Sequence, residues 1–193
     1  MNEIPTSQKI ATAARQLLDQ EGVEAVTMRR VASAVGITAM AVYRHYPDRA
    51  GLLNALSDAG FEDLTARLKA ARLTGDIEKK LTKTLDVNID HALQNPRLFE
   101  LMFLERREGA RRFPRDFKAG RSPTANITAE LIQEGMDTGI FRKDDAMEIV
   151  FEMGALLQGL IMLYLGGRTD MSPTLFRRYC HRSFRRYMYG IRK

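Results

Sequence analysis

Tyr43, Arg44, His45 and Tyr46 occupy four consecutive positions, and Arg49 follows three residues after them. Phenols, guanidiniums and an imidazole on so short a stretch are hydrogen-bond donors suited to the oxygens of a phosphate. Thr27 and Thr38 stand upstream, each placed to cap a helix and to present a hydroxyl at its N-terminus. Catalytic arrangements are missing by comparison. Cys180 and His181 are adjacent, and neighbours on a helix point about 100° apart, so they make no nucleophile–base pair. His45, His91 and His181 have no metal-ligand spacing, and there is no HExxH, CxxC, glycine-rich phosphate loop or carboxylate pair. No catalytic residue, metal or cofactor is expected.

The elements that must position these groups carry the helical period almost throughout. Ile10, Ala13, Ala14, Leu17 and Leu18 form one apolar stripe, with Ser7 as the expected N-cap and Gly22 closing the helix. Thr27 caps a second helix that turns Met28, Val31, Ala32 and Val35 inward and ends at Gly36. Thr38 caps a third, with Val42 and Tyr46 on its buried side and Pro47 as its stop. A fourth starts near Asp48 and runs through Leu52, Leu53 and Leu56 toward Ala71.

Beyond it, Leu81, Leu85, Ile89 and Leu93 recur at i+4, and Pro96 opens a helix that buries Leu98, Met102 and Phe103. Residues 109–123 read as a loop and 124–139 as a helix. Residues 144–167 are apolar on most faces and are expected to be buried on nearly all sides. In the last helix Phe176, Cys180, Phe184, Tyr187 and Met188 form one stripe and arginines the other. No strand pattern, repeat or low-complexity segment interrupts this. The expected class is all-α, about nine helices. They divide into a three-helix domain over residues 1–55 and a larger helical bundle over 56–193.

Gly36 lies between two short helices where a residue tolerating positive φ is wanted. Ala32 is small where those helices cross, and Val42 plugs the gap between them. Small–Gly–aliphatic at this spacing is a helix-turn-helix arrangement, whose second helix enters the DNA major groove by its N-terminal end. A plain αα-hairpin with the same three residues is the other reading. Bulk charge does not decide between them. The chain carries a net +6 with pI about 9.6. Its first 60 residues nevertheless balance six bases against six acids. The excess lies in residues 105–121 and in the tail after Pro173, which has seven bases and no acid.

With 193 residues, 45% hydrophobic and 28% charged, the composition is that of a globular protein and not of a disordered one. A single cysteine excludes an internal disulfide and suits a reducing compartment. The N-terminus lacks a basic segment followed by an apolar run, and the apolar stretch at 153–167 is short for a bilayer and broken by Gln158. A cytoplasmic protein without a membrane partner is expected.

The segment Thr27–Leu53, TMRRVASAVGITAMAVYRHYPDRAGLL, preceded by LLDQEGVEAV, resembles the N-terminal domain of TetR-family transcriptional regulators. The match extends over roughly the first 55 residues. It includes the Gly22 turn, Thr27, the Ala32/Gly36/Val42 trio, the Tyr43–His45–Tyr46 run and a base opening the next helix. One departure is Arg49, where the family usually has lysine. The resemblance implies that Thr27 contacts a phosphate by hydroxyl and backbone N–H, and that Thr38 does the same or touches a base edge. It implies that Ala39 and Met40 face the groove and suit thymine methyls. Tyr43 and His45 would hydrogen-bond phosphates, Arg44 would reach a guanine edge or the backbone, and Arg49 would clamp a phosphate.

The resemblance further implies a homodimer through the last two helices, about 144–166 and 173–190, and a palindromic operator in double-stranded DNA. An unidentified small-molecule effector, largely apolar, would bind among the middle helices. His91, Phe99, Met102, Phe103, Phe151 and Met162 are candidates to line its pocket, with Gln158 and Tyr164 as polar anchors. Ordinary core packing is the other reading for each. The functional expectation is a ligand-responsive transcriptional regulator, a repressor released by a small molecule. The alternative is a helical protein-interaction module, which leaves the Tyr43–Arg49 run without a role.

Overall fold

The computed structural model describes residues 4–193. In chain order the helices are α1 (Thr6–Glu21), α2 (Met28–Val35), α3 (Ala39–Tyr43), α4 (Arg49–Ala70) and α5 (Ile77–Gln94), followed by α6 (Pro96–Phe103), α7 (Arg115–Lys118), α8 (Pro123–Asp137), α9 (Ala146–Leu165) and α10 (Pro173–Ile191). A 3-10 turn, Val23–Ala25, lies between α1 and α2. Among the described residues there is no strand, and Phe141 and Arg192 form an isolated bridge. The all-α class holds, with ten helices among the described residues where about nine were expected.

The chain forms two compact units, Met1–Asp63 with Asn95–Ala110, and Leu64–Gln94 with Arg111–Lys193. The expected division at 55/56 falls inside the continuous helix α4. In the first unit, Ile10, Ala14 and Leu18 of α1, Val31 of α2, Val42 of α3 and Leu52 of α4 are fully buried. Helix α6 lies against α4 so closely that a Cβ at Gly60 would stand 2.6 Å from Met102 Sδ. Arg15 Nη2 donates to Asn95 Oδ1 at 2.6 Å, tying α1 to the residue before α6.

Two boundaries differ from expectation. Ser7 does not cap α1. The helix starts at Thr6 after Pro5, whose carbonyl accepts from the N–H groups of Gln8 and Lys9. Proline fixes φ at the entry and has no side-chain acceptor, so no side-chain cap forms there. Helix α3 ends at Tyr43, well short of Pro47. Proline disfavours helical backbone at the residue before it, and the chain tightens, with the N–H groups of His45 and Tyr46 both reaching Val42 O at 3.0 Å.

In the second unit α8 and α9 pack side by side, and α5 and α10 close the bundle. A Cβ at Gly135 would come within 2.3 Å of the buried Phe141 ring, so α8 needs glycine there. Residues 109–123, expected to be loop, contain the one-turn helix α7, the added element in the count. Its organiser is Asp116, 4% exposed, which accepts from Arg112 N–H at 2.8 Å and pairs with Arg115 and Arg121. Hydrogen bonds from Arg115 and from the Arg112 N–H hold that carboxyl well below the ordinary range.

Helix α9 is not buried on nearly all sides. Ile149, Val150, Met153, Leu157 and Ile161 pack inward, while Phe151, Met162 and Leu163 are exposed. It is also 20 residues long with hydropathy 1.6, long and apolar enough by those measures to cross a membrane, unlike the shorter stretch read from sequence. The inward stripe packs on its helical neighbours, while much of the outer face, Met162 and Leu163 included, stays open.

Candidate nucleic-acid interface

The first unit builds its outer face from two caps and a turn. Thr27 Oγ1 accepts from Arg30 N–H at 3.3 Å, and Thr38 Oγ1 from Ala41 N–H at 3.2 Å. Both threonines therefore cap their helices and keep a hydroxyl proton for an outside acceptor. Gly36 has φ 75°, and its N–H and that of Ile37 close back onto Ser33 and Ala32. These are the paired bonds of a Schellman turn, which needs a left-handed residue. The backbone N–H of Thr27 is not available for a phosphate, because it donates to Ala25 O at 3.0 Å. At the starts of α2 and α3 the N–H groups of Met28, Arg29, Ala39 and Met40 have no acceptor among the described residues.

Helix α3 buries Val42 and displays the rest. Val42 is 0% exposed, whereas Met40 is 66% and Tyr43 46% exposed. Large apolar groups three residues apart on one exposed face are costly in water without a partner surface. Ala39 is half-buried beside them, Arg44 and His45 are exposed just past the helix end, and Tyr46 is half-buried.

The arginines divide into two pairs. Arg30 forms a double hydrogen bond with Glu21 at 2.9 and 2.5 Å, which lowers the Glu21 carboxyl from its ordinary value. Arg49 donates from Nε to Val26 O at 2.8 Å and from Nη2 to Val23 O at 2.7 Å. The side chains of Arg29 and Arg44 are exposed and make no hydrogen bond or ion pair among the described residues. Arg29 was not singled out from the sequence. The signal was present: with Met28, Val31 and Ala32 turned inward, position 29 must face outward beside Thr27.

The bacterial regulatory proteins of the tetR family match residues 10–56, and the tetracyclin repressor-like C-terminal domain matches residues 81–187. The chain belongs to the TetR family. Proteins of this family bind DNA and act as dimers, and this chain is a DNA-binding transcriptional regulator.

An HTH-type transcriptional regulator of Staphylococcus aureus (strain bovine RF122 / ET3-1) is 24% identical over 160 residues, covering 81% of this chain and 78% of that protein. The HTH-type transcriptional repressor DrrR1 of Streptomyces coeruleorubidus is 40% identical over 53 residues, 28% of this chain and 20% of its own length. A protein of unknown function from Rhodococcus sp. RHA1 shares the fold with TM-score 0.83 at 23% identity, covering 100% of this chain and 98% of that one.

The pocket candidates of this TetR-family chain fall in both units. Phe99 and Met102 are buried in the first, where the Phe103 ring lies 4.9 Å from Phe99 and 5.3 Å from Phe61. His91 is buried on α5 in the second. Phe151 stacks on Phe113 at 4.1 Å and Tyr164 on Phe176 at 4.2 Å. Met162 is exposed and Gln158 half-buried, both on α9. The second unit also has an open cleft of about 480 Å³ lined by Ala129, Glu130, Gln133, Asp144, Asp145, Ala146 and Met147, none of them singled out from the sequence.

Proposed function

We propose that this regulator is a homodimeric repressor, released from a palindromic operator by a small, largely apolar effector. Its DNA contacts are Thr27, Thr38, Ala39, Met40, Tyr43, Arg44 and His45, with Arg29 added. The observation that carries the DNA contacts is the display of Met40 and Tyr43 on α3 directly outside a fully buried Val42. Thr38 opens the same helix and Arg44 and His45 follow it, so phosphate donors flank along the chain a pair able to touch base edges. The neutral charge of the first 60 residues fits this reading, because positioned donors and helix N-termini replace a wide basic patch. Helices α9 and α10 are the proposed dimer surface, and the candidates within the second unit, His91, Phe151, Gln158 and Tyr164, remain the proposed effector lining. A cytoplasmic location follows from this role.

Selection from a randomised duplex pool, then titration of Tyr43→Ala and Arg44→Ala on the selected site, tests the reading. A palindromic consensus is expected, with each variant weakened by about tenfold. No sequence preference, or variants that bind like the parent, would overturn it. Repeating the selection with candidate effectors present tests release.

A further inference from the structure

The family resemblance puts Arg49 on a phosphate, and the geometry points to another use. We infer that Arg49 is a positioning residue: its guanidinium fork locks the turn before α2 onto the first residue of α4 and so sets the direction of Thr27. The inference rests on the DNA-binding reading of the Thr27–His45 face. Nε holds Val26 O at 2.8 Å and Nη2 holds Val23 O at 2.7 Å, with the Glu24 carboxylate 3.5 Å from Nη2. Val23 O also accepts from Val26 N–H at 3.1 Å, so the fork grips both ends of the 3-10 turn. The carbonyl of Val26 belongs to the same peptide plane as the N–H of Thr27. Fixing that oxygen fixes the plane from which the Thr27 side chain leaves. Among the described residues no backbone hydrogen bond joins this turn to α4, which leaves the fork as the polar link between them.

The two roles demand different chemistry. A phosphate accepts a point charge, so lysine serves it nearly as well as arginine. Two carbonyls three residues apart need a rigid planar fork, which lysine's single ammonium on a flexible stem does not supply. Lysine is therefore the discriminating substitution at this position.

The experiment uses the full chain and the selected operator duplex, with Arg49→Lys and Arg49→Met titrated across a salt series and melted in parallel. Positioning predicts that both variants bind about tenfold more weakly. The slope of log affinity against log salt stays at the wild-type value, because the contact weakened is that of the uncharged Thr27 hydroxyl and no phosphate loses a cationic partner. If Arg49→Lys binds normally while Arg49→Met loses affinity and about 0.9 of slope, Arg49 is a phosphate clamp and the inference fails. It fails equally if both variants melt early yet bind normally once folded, since the role is then structural alone.

A double-mutant cycle with Thr27→Val adds an independent readout and carries the test if Arg49→Met does not fold. Acting through Thr27, Arg49→Lys adds little to the loss already caused by Thr27→Val, whereas additive losses would overturn the inference. The Arg44→Ala titration separates the two readings. If that variant binds normally, the DNA face itself is wrong; if it weakens binding while Arg49→Lys does not, the positioning role alone is wrong.

Discussion

At the scale of single residues, backbone conformation and burial make the sharpest demands. Gly36 sits at φ 75° with nothing within 4 Å of where a Cβ would stand. Replacing it costs conformational energy without a clash, so Gly36→Ala should lose about 1 kcal/mol of stability in denaturant titration. Gly36→Asn should lose less, because asparagine tolerates the left-handed region. Cys180 makes a different prediction. It is fully buried, and burial pushes its thiol up to about 11. Thiolate is therefore scarce at pH 8, and alkylation followed by mass spectrometry should be slow in the native protein and rapid in denaturant. The capping roles of Thr27 and Thr38 were legible in the sequence because a cap depends on residues three positions away. The partner of Arg49 was not, because a long side chain chooses its acceptor from groups brought close by folding.

At the scale of elements, α7 shows how one carboxylate can organise a segment that reads as loop. The Asp116 carboxyl is lowered chiefly by the Arg115 hydrogen bond and then by the Arg112 N–H. A group with a depressed folded value stabilises above its unfolded value, near pH 4, and loses that contribution as pH falls through the folded value. Asp116→Asn should therefore lower the melting temperature most at neutral pH, and the gap to the parent should narrow in acid. A gap that is independent of pH would show the carboxylate charge to be immaterial. Close helix packing gives a second expectation at this scale. A methyl at Gly135 would enter the Phe141 ring, so Gly135→Ala should destabilise the second unit by about 1–3 kcal/mol.

At the scale of the whole molecule, the exposed side of α9 is the feature a single chain leaves unfinished. Only 28% of its most apolar stretch is buried, and Met162 and Leu163 are 45% and 51% exposed. About half of each side chain is open to water, so Met162→Glu with Leu163→Glu should keep the fold and its circular dichroism. Sedimentation should show monomers, and operator affinity should fall because half of the contacts are lost. A variant that sediments as a dimer would place the interface elsewhere.

The sequence by itself determined the all-α class, the course of the longer helices and the helix-turn-helix with its two caps and left-handed glycine. Those depend on periodicity and on partners within one turn, which a linear reading contains. Tertiary structure decided which arginines are engaged and which stand free, that α7 forms around Asp116, that α3 ends before Tyr46, and which face of α9 is left open. The α7 turn and the end of α3 rest on bonds within five residues that no apolar period announces, whereas the engagement of Arg49 and the open face of α9 turn on contacts between residues distant in the chain. The free energy of such a contact exists only after the chain has closed upon itself.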